Sequence, residues 1–593
     1  MGTLLNVKDL SIGFADHGKL NKAVEDVSFS MEEREILGVV GESGSGKSMT
    51  ALATMGLLPK AALVLGGEIS FAGQDMLRLS ADERSRIQGK DLSMIFQEPM
   101  TSLNPVMKIG KQVGESLLLH TDFSKEEIHQ KVLESLSEVG LSDPETLCEK
   151  YPHELSGGMR QRVMIAQAMI CSPKLLIADE PTTALDVIVQ EQILTLLKSL
   201  HEKKDVAILF ISHDLGVIRE ICQNVLVMYH GVIVERGSVE DVLYHPQHAY
   251  TKTLVASIPS IDTPATSQKT ILSMEHVDIY YPEGSGGLLR KRKMKKVVKD
   301  LNLSVYEGEI MGIVGESGCG KSTIARTVVG LNNDYTGTMQ LEADARPQMV
   351  FQDPYGSLNP ARRIGWIMAE PLRVRGIKDK AEQKRLVLQM LQKIGLDDSY
   401  YDRYARELSG GQRQRISIGT ALLMDSRLLV ADEPVSALDV TVQSQILNLL
   451  LDVHRQGNLA ILFISHDLNI VEHICHRVAV IYLGEIVEMA DVEEIYQNPR
   501  HPYTRMLLQA ALLESQKSKG KGIFSTSEKK QEKEQEVVWD IEDVKTEEKG
   551  CAFYPRCPER CAECLAAKQE LKDISSGSSR PHLVRCARAT KDA

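Results

Sequence analysis

One short peptide occurs twice in this chain, and its repetition constrains the fold more than any other feature. GESGSGKS occupies residues 41–48, and GESGCGKS occupies residues 315–322. Four later landmark pairs recur with offsets of 253 to 255 residues: Gln97 with Gln352, Ser156 with Ser409, Asp179 with Asp432, and His213 with His466. The nearly constant offset indicates a duplicated domain of about 250 residues rather than a short-period repeat.

The duplication divides the chain into five predicted segments. The two copies are predicted at residues 1–260 and 271–515, joined by a polar linker at 261–270. Residues 516–549 are rich in charge and poor in apolar side chains, which predicts a solvated, flexible tether. Residues 550–593 form a cysteine-rich C-terminal extension.

The bulk composition limits the classes of function. The chain has 593 residues, 43% of them hydrophobic, and a net charge of −12. A net acidic chain is not expected to bind nucleic acid, which normally requires a concentrated basic face. The N-terminus lacks the pattern of a signal peptide, and no apolar run approaches the roughly 20 residues that span a bilayer. We therefore expect a cytoplasmic chain whose association with a membrane is indirect.

The repeated glycine-rich peptide is typical of a phosphate-binding loop. In both copies an apolar run (EILGVV, EIMGIV) precedes it and a helix-compatible stretch follows it. Both peptides match the pattern G-x-x-x-x-G-K-S in full. In such a loop the backbone N–H groups surround phosphate oxygens, the lysine reaches the outer phosphates and the serine hydroxyl ligates magnesium.

Two later motifs add catalytic side chains. LLIADEP (175–181) and LLVADEP (428–434) each end an apolar strand in two acids. The first acid of each pair, Asp179 or Asp432, suits the magnesium shell, and the second, Glu180 or Glu433, suits a general base that polarises water. The strands VAILFISHD and LAILFISHD end near His213 and His466, for which the register with the acids favours a contact to a terminal phosphate.

A further motif predicts an anion site that faces outward. LSGGMRQR (155–162) and LSGGQRQR (408–415) place Ser-Gly-Gly at the start of a helix-compatible segment. The N-terminus of a helix favours anions. Because the glycine-rich loop of the same copy already serves the phosphates of a nucleotide, we expect this second site to face another partner.

Together these motifs resemble the nucleotide-binding domains of ABC ATPases over residues 3–515. The resemblance rests on the P-loop, FQEP and FQDP, LSGG, the acid pair with TALD or SALD, and the histidine. It implies an α/β fold of two tandem P-loop domains, each with a RecA-like core, a helical subdomain and an antiparallel β-subdomain. It also implies that two domains meet head to tail, each ATP lying between the P-loop of one and the signature of the other.

By this resemblance every functional position can be assigned. The first site would use Gly41, Ser43, Gly44, Gly46, Lys47, Ser48, Gln97, Asp179, Glu180 and His213, facing Ser409, Gly410, Gly411 and Asp439. The second site would use Gly315, Ser317, Gly318, Gly320, Lys321, Ser322, Gln352, Asp432, Glu433 and His466, facing Ser156, Gly157, Gly158 and Asp186. Magnesium would be held by Ser48, Gln97 and Asp179, and by Ser322, Gln352 and Asp432. Phe14 and Tyr281 stand where the family stacks an aromatic ring on adenine, although packing in the core would also suit them.

Finer motifs resemble the two ATPase subunits of dipeptide, oligopeptide and nickel importers, joined end to end. These motifs are EPMTSLNP, DPYGSLNP, HPQHAYT and HPYT. The resemblance implies peptide, glutathione, nickel or metal-chelate import, two membrane permease subunits, an extracytoplasmic binding protein, and a place on the cytoplasmic face of the membrane. The first copy departs from the pattern at Ala249 and has no cysteine tail. The second is 21 residues shorter after its P-loop, which puts its β-subdomain in doubt.

Two other functional classes share much of this chemistry. A soluble tandem ABC ATPase acting on ribosomes or DNA usually carries a long helical spacer or zinc modules, whereas this linker is short and the chain is acidic. An exporter ATPase would share all of the catalytic residues, and the SLNP and HPYT elements disfavour it. Both remain alternatives to the importer at this stage.

The C-terminal cysteines allow three interpretations. Cys551, Cys557, Cys564 and Cys586 could supply four thiolates to zinc or to an iron–sulfur cluster. Their spacing resembles the tail of the oligopeptide-importer ATPases, which implies a 4Fe-4S cluster. Cys561 forms a C-x-x-C pair with Cys564, a pattern that zinc also uses, and free thiols remain the third possibility.

Overall fold

The computed structural model describes most of the chain in two compact units. The described residues are 2–16, 19–97, 102–183, 185–255, 261, 267, 269–283, 293–436, 438, 440–457, 459–516, 550–566, 569–575 and 580–589. The first unit contains Met1–Ser257, and the second contains Ile258–Leu438, Val442–Leu513 and the C-terminal segment. Asp439, most of the predicted linker and nearly all of the predicted tether lie outside the described residues.

The first unit alternates strands and helices. Its strands are β1 (Thr3–Asp16), β2 (Lys19–Glu32), β3 (Ile36–Val40), β4 (Ala62–Phe71), β5 (Gln74–Asp75), β6 (Leu92–Ile95), β7 (Leu175–Asp179), β8 (Ala207–Ile211), β9 (Asn224–Tyr229) and β10 (Val232–Ser238). Its described helices are α1 (Lys47–Met55), α2 (Ala81–Ile87), α3 (Ile109–Val113), α4 (Glu115–His120), α5 (Lys125–Glu138), α6 (Pro144–Glu149), α7 (Gly157–Met169), α8 (Val187–Lys204), α9 (Leu215–Ile221), α10 (Val239–Tyr244) and α11 (Ala249–Val255).

Two sheets organise the first unit. Six strands pair in the order β10-β9-β3-β8-β7-β6, with β10 antiparallel to β9 and the inner pairs parallel. Residues of β3 alternate between two apolar clusters: Ile36 and Val40 belong to one, and Leu37 and Val39 to the other. The apolar runs read from the sequence are therefore strands covered on both faces. A second, antiparallel sheet has the order β2-β1-β4-β5.

The second unit repeats this plan. Its strands are β11 (Thr270–Glu283), β12 (Lys293–Tyr306), β13 (Ile310–Val314), β14 (Tyr335–Leu341), β15 (Gln348–Val350), β16 (Leu428–Asp432), β17 (Ala460–Ile464), β18 (Arg477–Tyr482), β19 (Glu485–Asp491), β20 (Lys572–Asp573) and β21 (Leu583–Val584). Its helices are α12 (Lys321–Val328), α13 (Pro354–Ser357), α14 (Ile364–Val374), α15 (Lys380–Lys393), α16 (Gly410–Leu422), α17 (Val440–Gly457), α18 (Leu468–Ile474), α19 (Val492–Gln497), α20 (Pro502–Gln516) and α21 (Glu563–Ala566).

The second unit keeps its antiparallel sheet despite the shorter sequence. Three strands pair in the order β12-β11-β14, where the first unit has four. The shortfall removes the counterparts of β5 and α2 and leaves the sheet itself in place. The doubt that the sequence raised about this subdomain is therefore resolved in favour of a smaller sheet.

The C-terminal segment adds strands to the larger sheet of the second unit. That sheet runs β15-β16-β17-β13-β18-β19-β21-β20, and its last two strands come from the cysteine-rich extension. In the first unit the equivalent strand, β10, ends the sheet. Among the described residues, no helix has the length and apolar character needed to cross a membrane.

Candidate functional site

Each P-loop connects a central strand to the helix that follows it. Gly41 and Gly315 have φ angles of 151° and 154°, and a Cβ atom on either would overlap a backbone carbonyl oxygen, that of Met228 or Ile481. Glycine is therefore required at both positions because the loop turns and approaches the neighbouring strand closely. This turn follows directly from the carboxyl end of β3 or β13, where ligands bind in open α/β sheets.

The P-loop lysines are buried inside their own loops. Lys47 Nζ donates to the carbonyl oxygens of Gly41 at 2.7 Å and Glu42 at 2.8 Å. Lys321 Nζ donates to the matching carbonyl oxygens, those of Gly315 at 2.7 Å and Glu316 at 2.9 Å. A buried ammonium held by the loop that would surround a phosphate chain fits the role predicted for these lysines.

A hydroxyl and a carboxylate meet where the sequence predicts magnesium. Ser48 Oγ donates to Asp179 Oδ1 at 3.0 Å, and Ser322 Oγ donates to Asp432 Oδ1 at 3.1 Å. Burial raises the pKa of Asp179 to about 6 and raises that of Asp432 as well. A divalent cation would offset this burial because it favours the ionised carboxylate. Oxygen donors of this kind suit Mg²⁺, so the residues fit the predicted group.

Three side chains contact the same oxygen of Glu180. Gln97 Nε2 donates to Oε2 at 2.8 Å, Thr183 Oγ1 donates to it at 2.9 Å, and His213 Nδ1 lies 3.3 Å from it. In the second unit Gln352 Nε2 donates to Glu433 Oε2 at 2.8 Å, and His466 Nδ1 lies 3.3 Å from that oxygen. The predicted glutamine, glutamate and histidine of each half therefore form one cluster.

The ionisation of this cluster follows from its burial and its pairing. Burial opposes the charge of Glu180, but the hydrogen bond and charge of His213 outweigh it and lower the pKa of Glu180 to about 2. Burial likewise opposes the charge of His213, whose pKa is nevertheless raised by Glu180. The pKa of Glu433 is lowered and that of His466 raised for the same reasons. Each half thus holds an ionised glutamate against its histidine.

The two glutamates predicted to act as general bases have an unusual backbone conformation. Their φ angles are 48° at Glu180 and 46° at Glu433, in the left-handed region that residues with a Cβ rarely adopt. The backbone N–H of each donates at 2.9 Å to the strand that carries the histidine, at Ile211 O or Ile464 O. Strain of this kind clusters at functional sites, and nothing in the sequence pattern revealed it.

The signature peptides start helices and are open at their first residues. Ser156 caps α7 by accepting from Met159 N, and Ser409 caps α16 by accepting from Gln412 N. Both serines are exposed. A Cβ atom on Gly158 or Gly411 would contact a valine of the next helix, Val189 or Val442, which explains the second glycine of each motif.

The remaining predicted ligands lie on separate elements. Asp186 caps α8 by accepting from Val189 N at 3.0 Å, whereas its counterpart Asp439 lies outside the described residues. Phe14 on β1 and Tyr281 on β11 belong to the antiparallel sheets, and each is half-buried. Stacking on adenine stays a prediction for both rings.

Two tyrosines hydrogen-bond to the P-loops, a role that the sequence motifs did not predict. Tyr250 Oη accepts a hydrogen bond from Glu42 N at 2.9 Å, and Tyr503 Oη accepts one from Glu316 N at 3.1 Å. Both belong to the closing motifs HPQHAYT and HPYT, which indicate the family but do not by themselves predict this contact. Their shared offset of 253 residues was the signal that could have found them.

The C-terminal cysteines converge without forming a ready metal site. Cys551, Cys557, Cys564 and Cys586 line one small cavity. Burial raises the pKa of Cys557 and of Cys564 to about 11. Cys561 Sγ lies 3.3 Å from Cys564 Sγ. Within the described part of the chain, however, no three or more Cys, His, Asp or Glu side chains are arranged to hold a metal ion. The donors suit a metal in kind but not in geometry, so the described structure does not support the predicted 4Fe-4S cluster.

Comparison with known proteins gives the same assignment as the motifs. Residues 24–183 and 298–436 match the ABC transporter family, and residues 234–281 and 487–564 match the C-terminal region of oligopeptide/dipeptide transporters. The glutathione import ATP-binding protein GsiA of Escherichia coli K12 is 42% identical over 557 residues, which cover 86% of this chain and 89% of that protein. GsiA of Shigella flexneri matches with the same identity and coverage.

One solved structure adds little to this comparison. The dimeric structure of MJ0796, a bacterial ABC transporter cassette, matches 40% of this chain and 98% of that chain at 26% identity, with a TM-score of 0.37. That TM-score is too low to support an argument. The two family matches and the importer relatives show the family of this chain. It belongs to the ABC transporter ATP-binding proteins, as a tandem ATPase of the oligopeptide and dipeptide importer group.

Proposed function

We propose that this chain drives the import of a small peptide, with glutathione or short peptides as the transported solute. The observation that carries the proposal is the 42% identity to a glutathione import ATP-binding protein over 86% of the chain. The oligopeptide/dipeptide C-terminal region matched in both halves points to the same class of solute. Nickel and metal chelates are the other solutes that the motifs allow.

The proposal assigns partners and a location. The chain would attach to two integral membrane permease subunits at the cytoplasmic face of the membrane and, through them, serve an extracytoplasmic solute-binding protein. The importer relatives support this assembly because an ATP-binding protein of an importer needs a separate membrane pathway. We propose no nucleic acid partner, and the acidic composition of the chain supports this.

We propose that two composite ATP sites form between the halves. Each P-loop, with its glutamate and histidine, would face the signature serine of the other half. Support comes from the completeness of both halves, since neither lacks its lysine, acid pair, histidine or signature. Ser156 and Ser409 are exposed, so the helix N-termini that they cap are accessible to an anion. That anion would be a phosphate of the ATP held by the P-loop of the other half.

Hydrolysis would depend on the glutamate cluster. Mg²⁺ bound near Ser48 and Asp179 would supply charge neutralisation at the phosphates of ATP. In the described state a pKa near 2 makes Glu180 a weak base. If His213 turned to the terminal phosphate, Glu180 would lose the contact that lowers its pKa and would become a better acceptor for a proton of the attacking water.

The transported solute can be tested by uptake. The complete importer, reconstituted in vesicles with its permease subunits and binding protein, would be assayed with labelled glutathione, a labelled dipeptide and nickel. We expect ATP-dependent uptake of glutathione or the dipeptide, and loss of uptake when Lys47 and Lys321 are both replaced by alanine. Uptake of nickel alone would contradict the proposal, and ATP-dependent efflux would favour an exporter.

The composite sites can be tested with matched serine variants. Glu433→Gln is introduced first, so that hydrolysis comes from the site of Glu180 alone. In that background Ser409→Arg should abolish the remaining ATP hydrolysis, because Ser409 would serve the P-loop of Lys47. The matched variant Ser156→Arg should spare it. The reverse pattern would show that each half uses its own signature.

We propose, as a separate point, that the C-terminal cysteines bind a 4Fe-4S cluster, with zinc or free thiols as alternatives. The convergence of four cysteines on one cavity supports a bound group, and the lack of a formed ligand set counts against it. Anaerobic purification followed by iron, sulfide and zinc analysis would decide. Stoichiometric iron and sulfide that disappear in Cys557→Ser are expected, and colourless protein with or without zinc would refute the cluster.

A further inference from the structure

The C-terminal segment, described at residues 550–566, 569–575 and 580–589, is packed firmly against the rest of the second unit. Phe553 is 1% exposed, and its ring centroid lies 5.2 Å from that of Tyr482 and 5.4 Å from that of Tyr503. Strand β21 of the C-terminal segment pairs with β19. Just beyond this pairing, Arg585 N donates to Val487 O at 2.8 Å. A buried aromatic ring and an added strand fix this segment relative to the sheet.

One side chain of the segment contacts the second P-loop directly. Arg556 Nη1 donates to both carboxylate oxygens of Glu316, at 2.9 Å and 3.0 Å. Both side chains are largely shielded, with 17% and 21% of their surfaces exposed. Glu316 is the second residue of GESGCGKS, and its carbonyl oxygen accepts from Lys321 Nζ. Its N–H donates to Tyr503 Oη, the ring that also packs on Phe553.

In the part of the chain that the structure describes, the first P-loop has no equivalent ion pair. Glu42 is the equivalent residue, its N–H donates to Tyr250 Oη, and its carbonyl oxygen accepts from Lys47 Nζ. Within the described ranges Glu42 has no ion-pair partner, and the sequence of the first copy is not followed by a cysteine-rich segment. The two P-loops therefore share their backbone contacts and differ in the charge balance of one glutamate.

We propose that Arg556 is a positioning residue for ATP at the second P-loop, and that it makes the two nucleotide sites unequal. Arg556 neutralises the Glu316 carboxylate and holds the loop whose amides and lysine would surround the triphosphate. Without it, the Glu316 carboxylate loses the neutralising charge of Arg556, and the added negative charge in a phosphate-binding loop opposes the binding of a polyanion. The inference concerns ATP binding alone and does not depend on which solute is imported.

The test measures ATP binding separately in each half of the full-length chain. A photoreactive ATP analogue is titrated, and mass spectrometry assigns the label to the peptide that contains the first or the second P-loop, which is the labelling counted for each half. Arg556→Gln should raise the analogue concentration for half-maximal labelling of the second half about three- to tenfold, the range of a shielded charge pair. Labelling of the first half should change less than twofold. In hydrolysis assays the variant should raise the KM for ATP and leave kcat within about twofold, which a general loss of folding would not do.

Three further variants separate positioning from stability. Glu316→Gln removes the charge that Arg556 neutralises, so adding Arg556→Gln to it should cause little further loss. Arg556→Lys keeps the charge and should recover part of the affinity. Glu559→Gln is the matched control because it breaks another ion pair of the segment, with Arg505 Nη1 at 2.8 Å, and does not contact the P-loop.

Three outcomes would overturn the inference. The first is equal weakening of both halves by Arg556→Gln, and the second is no weakening of the second half. The third is an undiminished effect of Arg556→Gln in the Glu316→Gln background, which would mean that the arginine acts through the fold of the segment. If Arg556→Gln lowers thermal stability, comparison of Glu316→Gln with its double variant still decides, because both are measured on the same second P-loop.

Discussion

Replacing Glu180 and Glu433 by glutamine separates ATP binding from ATP hydrolysis. All of the side-chain contacts found at Glu180 go to Oε2, from Gln97, Thr183 and His213. A glutamine can place its carbonyl oxygen at that position and still accept from Gln97 and Thr183, while its NH₂ group takes the position of Oε1. The variant should therefore keep the shape of the site and lose only the charge and the ability to accept a proton.

The expected magnitude follows from this loss. General base catalysis contributes about 10²- to 10⁴-fold to a rate, so the double variant should hydrolyse ATP at less than about 1% of the wild-type rate. Binding of ATP should change by less than about threefold, since the contacts of the P-loop lysine are untouched. Phosphate release under saturating ATP and equilibrium binding of a fluorescent ATP analogue would measure the two quantities.

Glu220 offers a matched control for this pair of substitutions. Glu220→Gln alters a carboxylate of the first half that is ion-paired with Lys198 Nζ at 2.7 Å. Glu220 lies outside the cluster formed around Glu180, so this variant should leave hydrolysis unchanged. Undiminished hydrolysis in the double variant would refute the role of both glutamates. Loss of ATP binding would refute the claim that glutamine preserves the site.

Three further predictions concern the loop, the buried histidine and the C-terminal segment. Gly41→Ala should weaken ATP binding by about 1–3 kcal/mol or more because its Cβ would overlap Met228 O, whereas Gly73→Ala, with a positive φ and open space, should not affect binding in the same titration. Burial lowers the pKa of His501 to about 4, so the unfolded chain binds a proton before the folded one does. The contribution of His501 to the free energy of unfolding is therefore fully present above about pH 6.5 and is lost as the pH falls toward 4. His501→Asn should flatten this pH dependence of the melting temperature. Phe553→Ala should destabilise the second unit by about 3–5 kcal/mol, measured by calorimetry, and a melting curve identical to wild type would contradict the buried contact.

The sequence predicted the chemistry of this protein because its motifs are local. A P-loop needs glycines, a lysine and a serine at fixed spacing. In the structure Lys47 donates to the carbonyl oxygens of its own loop and Ser48 donates to Asp179, while their contacts to phosphate and magnesium stay predictions. The acid pair at a strand end and the histidine at the next strand end were also predictable, since parallel strands bring their carboxyl ends to one edge. Asp179 and His213 lie at that edge as expected.

Contacts between residues far apart in the chain were not predictable in this way. Tyr250 supports the first P-loop from 208 residues away, and Arg556 reaches Glu316 across 240 residues. The 253-residue offset marks Tyr250 and Tyr503 as a repeated pair, but no spacing shows that they contact the P-loops, because only packing brings these residues together. The same holds for the strained φ of Glu180, which depends on the hydrogen bond to Ile211.

By itself the sequence determined that the chain is two copies of one ATP-hydrolysing domain, since the repeated motifs indicate the fold of each copy and predict its reactive side chains. Only the tertiary structure decided that the C-terminal cysteine segment is packed on one copy and contacts its P-loop through Arg556. The physical reason is that this asymmetry comes from a strand pairing, a buried ring and an ion pair, none of which leaves a local pattern in the chain.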